Sequence, residues 1–158
     1  MTPREAQIIG RKKTIIATVF SLAIILLILM ILETRGDFAN GILFFLQAVT
    51  NMNAMGIYII LFGLTFLFGG LAGKEIILGE KNHKKVAVKY TAWIMLALSI
   101  YFAIIGTTTV QGLAKDLPDF LLNYLIIILP NFFLFIIPLL SGWLWAVNQI
   151  KKNTNRTP

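Results

Sequence analysis

The residues that could carry out chemistry in this chain are few, and they lack the neighbours that a reaction needs. His83 is the only histidine and there is no cysteine, so a zinc site built from these ligands cannot form. Two pairs of carboxylates could hold a cation or exchange protons, although helix capping explains them as well: Glu33 with Asp37, and Asp116 with Asp119. No nucleophile is spaced near a base. We therefore expect no catalytic residue, no metal and no cofactor.

A cluster of uncharged polar residues is the leading candidate for a site on the outer side. Its members flank the places where the chain leaves and re-enters the apolar stretches, so they are expected at similar depth. They could line a vestibule, a re-entrant pore turn or a groove for a partner; an ordinary wet loop is the alternative. The residues are Gln47, Thr50, Asn51, Asn53, Thr108 and Gln111.

The composition requires a bilayer as the solvent for most of the chain. Hydrophobic residues make up 58% of the 158 residues and charged residues 13%, whereas soluble domains average about 45–50% and about 25%. A water-soluble fold of this size leaves too much surface exposed to hide so many apolar side chains. We expect an all-α integral membrane protein with one transmembrane domain.

Four apolar stretches are long enough to cross a membrane as helices, since about 20 residues cover a hydrocarbon core of about 30 Å. The predicted spans of the four-helix domain 14–148 are residues 14–32, 55–78, 86–106 and 119–148. Residues 38–49 are expected to form an outer interfacial or re-entrant segment. Pro130 and Pro138 are expected to kink the fourth span or divide it in two. Residues 1–13 and 149–158 remain as cytoplasmic ends.

Positive charge is concentrated where these spans would return to one side of the membrane. Twelve of the fourteen Lys and Arg residues lie within residues 4–13, 74–89 and 151–156. Each predicted outer loop carries one basic and two acidic residues, when Asp119 at the start of the fourth span is counted with the second loop. Cytoplasmic loops are enriched in Lys and Arg. Both termini are therefore predicted to lie in the cytoplasm, with the chain in the plasma (inner) membrane of a bacterium.

Small residues recur at helical spacing along the second and third spans, where they would let helix backbones approach closely. Gly69 and Gly73 add a GxxxG pair. The pattern predicts helix contacts, either within the chain or between copies in a homo-oligomer. The predicted packing residues are Gly56, Gly63, Gly70, Gly73, Ala92, Ser99, Ala103 and Gly106.

Polar and aromatic side chains mark the inner halves of the first and last spans. Thr14, Thr18 and Ser21 share one face of the first span, and their hydroxyls are expected to bond to carbonyls of their own helix. Trp143 and Trp145 lie near the inner end of the fourth span, where an aromatic belt is expected.

The charges favour a binding protein over a transporter, an enzyme or a nucleic-acid binder. No ionisable residue lies deep in a predicted span, whereas proton-coupled transporters and voltage sensors need one. The basic residues flank apolar spans, so anionic lipid headgroups and not nucleic acid explain the net charge of +7. The inner loop and tail would suit a cytoplasmic protein partner. The candidate docking residues are Lys81, Lys84, Lys85, Lys89, Lys151 and Lys152.

In size and predicted topology the chain resembles small tetraspan accessory proteins. These include bacteriocin-immunity proteins, conjugative exclusion proteins and membrane subunits of anti-phage systems such as Kiwa. The resemblance is one of outline and carries no motif or residue role. It implies a non-enzymatic membrane protein that acts by binding a partner in immunity, exclusion or antiviral defence. The alternative is a channel or transporter subunit that forms a pore by oligomerising.

Overall fold

The structure of the chain, a computed structural model, is built from four long helices. It describes residues 2–34, 52–79, 81–110 and 117–154, together with residues 40, 41, 43, 46, 47 and 50. The regular secondary structure in these residues is entirely helical. The long helices are α1 (Pro3–Thr34), α2 (Met52–Ile77), α3 (His83–Val110) and α4 (Leu117–Thr154).

Each of these helices contains a segment long and apolar enough to cross a membrane. The segments are Pro3–Leu32, Met55–Ile77, His83–Phe102 and Phe132–Lys152. Large apolar side chains such as Phe20, Ile59 and Ile137 are exposed on the outside of the bundle, as contact with lipid requires. The structure thus confirms the prediction of an all-helical protein with four helices long and apolar enough to span a membrane.

The first and third helices begin earlier than predicted, because capping residues precede them. At α1, the Thr2 backbone N–H donates to the Glu5 carboxylate (2.7 Å), and the Glu5 N–H donates to the Thr2 hydroxyl oxygen (3.3 Å). This is a capping box, with Pro3 at the first helical position, where its missing N–H costs nothing. At α3, Asn82 accepts a hydrogen bond from the Lys84 N–H (3.0 Å).

The fourth helix runs without interruption from Leu117 to Thr154 and includes both prolines. The alternative of two separate helical pieces is therefore wrong. The carbonyl oxygen of Pro138 accepts a hydrogen bond from the Ser21 hydroxyl of α1 at 2.8 Å. A kink at either proline stays a prediction.

Helices that are consecutive in the chain run antiparallel. This follows from the residues in contact, since their sequence numbers increase along one helix as they decrease along its neighbour. A single core cluster draws on all four helices, including Ile25, Leu61, Ile94 and Leu139. Between α1 and α2 the contacts are Gly10 with Gly73 and Thr18 with Thr65. Between α2 and α3 they are Glu75 with Lys89 and Gly56 with Tyr101. Between α3 and α4 they are Tyr90 with Trp143 and Phe102 with Phe135.

Candidate functional site

One end of the bundle gathers the start of α1, the end of α2, the start of α3 and the end of α4. Within the residues that the structure describes, every lysine and arginine lies at this end, either on the helical segments that lead to it or, for Lys81, in the loop between α2 and α3. We call it the basic end.

At the basic end α1 and α2 cross with their backbones in contact. An added Cβ at Gly73 would clash with the carbonyl oxygen of Ala6 and lie 2.9 Å from the Cα of Gly10. An added Cβ at Gly69 would clash with the hydroxyl of Thr14. The crossing thus joins Ala6, Gly10 and Thr14, spaced every four residues, to the GxxxG pair of α2, as expected where small residues drive association in lipid.

Buried hydroxyl groups continue this crossing toward the middle of the bundle. Thr18 and Thr65 are buried and share a hydrogen bond of 3.0 Å between their hydroxyl groups. The Thr14 oxygen lies 2.9 Å from the carbonyl of Gly10 and 3.4 Å from that of Thr65. The predicted bond to the same helix is therefore present for Thr14, and also for Ser21, whose oxygen lies 2.9 Å from the Ala17 carbonyl. The bond that the structure gives for Thr18 joins it to α2 instead, which the sequence did not indicate. Polar bonds of this kind help to fix which helix faces pair.

A carboxylate of α2 contacts both α3 and the loop between α2 and α3. Glu75 accepts hydrogen bonds from Lys89 at 2.8 Å and from the Tyr90 hydroxyl at 2.9 Å, and it lies 3.6 Å from the Lys81 ammonium. Two of the predicted docking lysines, Lys81 and Lys89, are therefore engaged within the chain. Such partly exposed pairs position groups more than they stabilise the fold.

Arg11 of α1 lies along α2 instead of extending into water. Its guanidinium carbon lies 4.2 Å from the centroid of the Phe66 ring, a cation–π contact. An added Cβ at Gly70 would lie 3.0 Å from its Nε atom, which is buried and lacks a hydrogen-bond partner within the described residues. Gly70, one of the predicted packing residues, thus makes room for this side chain.

An aromatic column joins α2, α3 and α4 beside the Glu75 pairs. The ring of Tyr90 stacks on Phe68, with centroids 5.1 Å apart, and lies 5.9 Å from the ring of Trp143. Trp143 is 0% exposed, whereas Trp145 is 44% exposed. The expected belt therefore fits Trp145 only, and the prediction for Trp143 is wrong because its ring fills the space between helices.

The remaining docking lysines lie on the surface of the basic end. Lys84, Lys85, Lys151 and Lys152 are exposed. The contact of Tyr90 with Trp143 on antiparallel helices places the end of α4 beside the start of α3. The sequence-predicted lysines thus lie at one end of the molecule, and two of them are held by Glu75.

The predicted packing residues of α2 and α3 do not form one continuous contact. Gly56 lies against Tyr101 of α3, while an added Cβ at Gly63 would meet nothing within 4 Å. Ala92 is exposed, and Ser99 is half-buried, with its hydroxyl bonded to the Met95 carbonyl at 2.8 Å. The roles of Gly63 and Ala92 stay predictions about contacts outside the chain. The side chain of Ala103, like the surroundings of Gly106, lies outside the described part of the structure.

The predicted outer polar cluster is described only in part. Gln47 and Thr50 are helical and exposed, and the Thr50 hydroxyl donates to the Leu46 carbonyl at 2.8 Å. Asn51 and Gln111 lie outside the described residues, as do the side chains of Asn53 and Thr108. The cluster stays a prediction.

Sequence reasoning missed three residues that shape the bundle. Glu5 is one of them, although the Thr2-x-x-Glu5 spacing with Pro3 is a recognisable helix start. Gly10 is the second, and its four-residue spacing to Thr14 is the pattern that could have indicated it. Gly142 of α4, which packs against Ser21 and the Ala17 carbonyl, had no signal of its own.

The described residues contribute helix-packing contacts and exposed positive charges to the basic end. Within the ranges that the structure describes, no three His, Asp or Glu side chains come close enough together to hold a metal ion. No protein-family model, curated protein or solved structure matches this chain.

Proposed function

We propose that this chain is a non-enzymatic, multi-pass protein of a bacterial inner membrane that binds a protein partner through its basic end, with both termini in the cytoplasm. The proposed roles are those of an immunity, exclusion or phage-defence membrane subunit.

The observation that carries the proposal is an unbalanced positive surface at the basic end. Glu5 is engaged in the α1 cap and Glu75 pairs with Lys81 and Lys89. Lys84, Lys85 and Lys151 are exposed and make no ion pair with the carboxylates that the structure describes. A surface of one sign steers an acidic partner and disfavours wrong ones.

Charge reversal of these lysines tests the proposal. The tagged full chain is purified from its source cells in mild detergent, and a soluble protein is expected to accompany it in fixed stoichiometry. In the triple variant Lys84→Glu, Lys85→Glu, Lys151→Glu, the amount of co-purified protein is expected to fall by about tenfold or more. The reason is that charge reversal places like charges across the interface.

A matched triple variant controls for net charge. Arg4, Lys12 and Lys74 are exposed cations of the same end, on α1 and α2. Their reversal to glutamate changes the total charge equally and is expected to leave the co-purified protein within about twofold. Equal loss in both triple variants, or retention in both, would overturn the assignment of the partner to Lys84, Lys85 and Lys151.

The alternative function is an oligomeric channel or transporter subunit. One observation favours it: Gly63 has open space beside it and lies between exposed Ile59 and Leu67 on α2. Close approach of a second copy there would suit a small residue. A disulfide between two copies of a Gly63→Cys variant, together with conductance in bilayers, would favour this alternative.

A further inference from the structure

A groove on the outside of the bundle runs between α1 and α4. It has a volume of about 330 Å³ and is lined by Ala17, Phe20, Gly142 and Trp145. Ala17 is buried and Gly142 half-buried, so they form the floor, whereas Phe20 and Trp145 are exposed and form the walls. The groove therefore opens on the surface that faces lipid.

The groove exists because the two helices touch through small residues while large side chains stand on either side. An added Cβ at Gly142 would clash with the Ser21 hydroxyl and lie 3.1 Å from the Ala17 carbonyl oxygen. The Ser21 hydroxyl also donates to the Pro138 carbonyl at 2.8 Å, which fixes the register of the pair. The floor is thus formed where Gly142 packs directly against Ser21 and the Ala17 carbonyl of α1.

Both walls lead to a lysine at the basic end. Lys13 lies seven residues before Phe20 on α1, and Lys152 lies seven residues after Trp145 on α4, so each shares the face of its wall residue. Two helical turns are about 10 Å. Lys152 is exposed and Lys13 half-exposed, and neither makes an ion pair within the described part of the chain.

The helix directions allow these two lysine side chains to reach the same height along the bundle. In a helix each Cα–Cβ bond tilts toward the N-terminus. Lys13 therefore leans outward to the basic end, whereas Lys152, on an antiparallel helix, leans back toward the groove. The Ser21–Pro138 and Ala17–Gly142 contacts place Lys13 about six residues, or roughly 9 Å, nearer the bilayer than Lys152. Two extended lysine side chains can meet across that height.

We propose that this groove is a binding site for one anionic phospholipid. An acyl chain lies between Phe20 and Trp145, and the phosphate lies between Lys13 and Lys152. The combination of an apolar groove at membrane depth with two cations at its mouth matches both halves of such a lipid, since basic pockets between membrane helices hold anionic headgroups. The Trp145 indole suits the interfacial level between chain and headgroup. This site does not depend on the proposed protein partner.

Quenching of Trp145 fluorescence tests the site directly. The full chain carrying Trp93→Phe is reconstituted into phosphatidylcholine vesicles that contain increasing fractions of a lipid brominated in the acyl chains. This lipid is phosphatidylglycerol in one series and phosphatidylcholine in the other. Trp143 is 0% exposed, so Trp145 at 44% is the accessible reporter. Phosphatidylglycerol is expected to bind at the groove about tenfold more strongly than phosphatidylcholine, given the attraction of two lysines. The Lys13→Gln, Lys152→Gln variant is expected to reduce that ratio to about one.

A second pair of lysines serves as a control that distinguishes binding in the groove from non-specific attraction of anionic lipid to the positive surface. Lys84→Gln, Lys85→Gln removes the same charge from the start of α3, which does not line the groove. This control is expected to keep the preference for phosphatidylglycerol within about twofold. Equal quenching by both brominated lipids in the Trp93→Phe chain, or equal loss of preference in the two lysine pairs, would overturn the proposal.

Discussion

Replacing Gly73 by leucine is expected to destabilise the bundle by about 3 kcal/mol or more, at the upper end of the cost of overpacking. A Cβ at this position would clash with the carbonyl of Ala6 and lie 2.9 Å from the Cα of Gly10. Both obstacles are backbone atoms, so no side-chain rotation can relieve the contact. The α1–α2 crossing would have to separate.

Gly63 provides the matched control for this prediction. It lies in the same helix, and an added Cβ would meet nothing within 4 Å. Gly63→Leu is expected to change the unfolding free energy by less than about 1 kcal/mol. Leucine has a higher helix propensity than glycine, which favours the folded variant. Thermal unfolding followed by size-exclusion chromatography in one detergent measures both variants. Equal losses at the two positions would contradict the crossing.

Truncation of Trp143 to alanine is expected to cost about 3 kcal/mol, near the range for a fully buried large side chain. The ring is 0% exposed and lies 5.9 Å from that of Tyr90, which in turn stacks on Phe68. Its removal leaves a cavity where α3 and α4 meet. Since lipid is as apolar as the core, the loss comes mainly from packing contacts and not from transfer out of water.

Trp93 separates burial from the general effect of removing an indole. It is 53% exposed on α3, where lipid can replace the lost contacts. Trp93→Ala is expected to lower the unfolding free energy by less than about 1 kcal/mol in the same assay. If it destabilises the bundle as much as Trp143→Ala, the buried aromatic column does not hold the helices together.

The number of helices could be predicted because it depends on the length and composition of apolar runs. Which side chains face inward could not, because in a membrane bundle the core and the lipid-facing surface are both apolar. Trp143 and Trp145 illustrate this limit. They are two residues apart and of the same type, yet one fills the core and the other lines an outer groove. A soluble helix would have carried a polar face to distinguish them.

Which helix faces pack against each other could not be predicted from the sequence either. The bond between Ser21 and Pro138 joins residues 117 positions apart, and a hydroxyl on a helix can bond to its own turn just as well. Lys89 is a predicted docking residue, but antiparallel packing of α2 and α3 brings its ammonium group to 2.8 Å from the Glu75 carboxylate. The close approach of Gly10 to Gly73 likewise depends on how α1 packs against α2.

The orientation of the basic end is the central claim, and fused reporters test it most directly. Alkaline phosphatase, which folds only outside the cytoplasm, and green fluorescent protein, which fluoresces only inside it, are each attached after Pro158. Matched fusions after Asp116, in the predicted outer loop, provide the opposite control. The account predicts fluorescence without phosphatase activity at Pro158 and the reverse at Asp116. An active phosphatase after Pro158 would place the lysines outside and contradict the account.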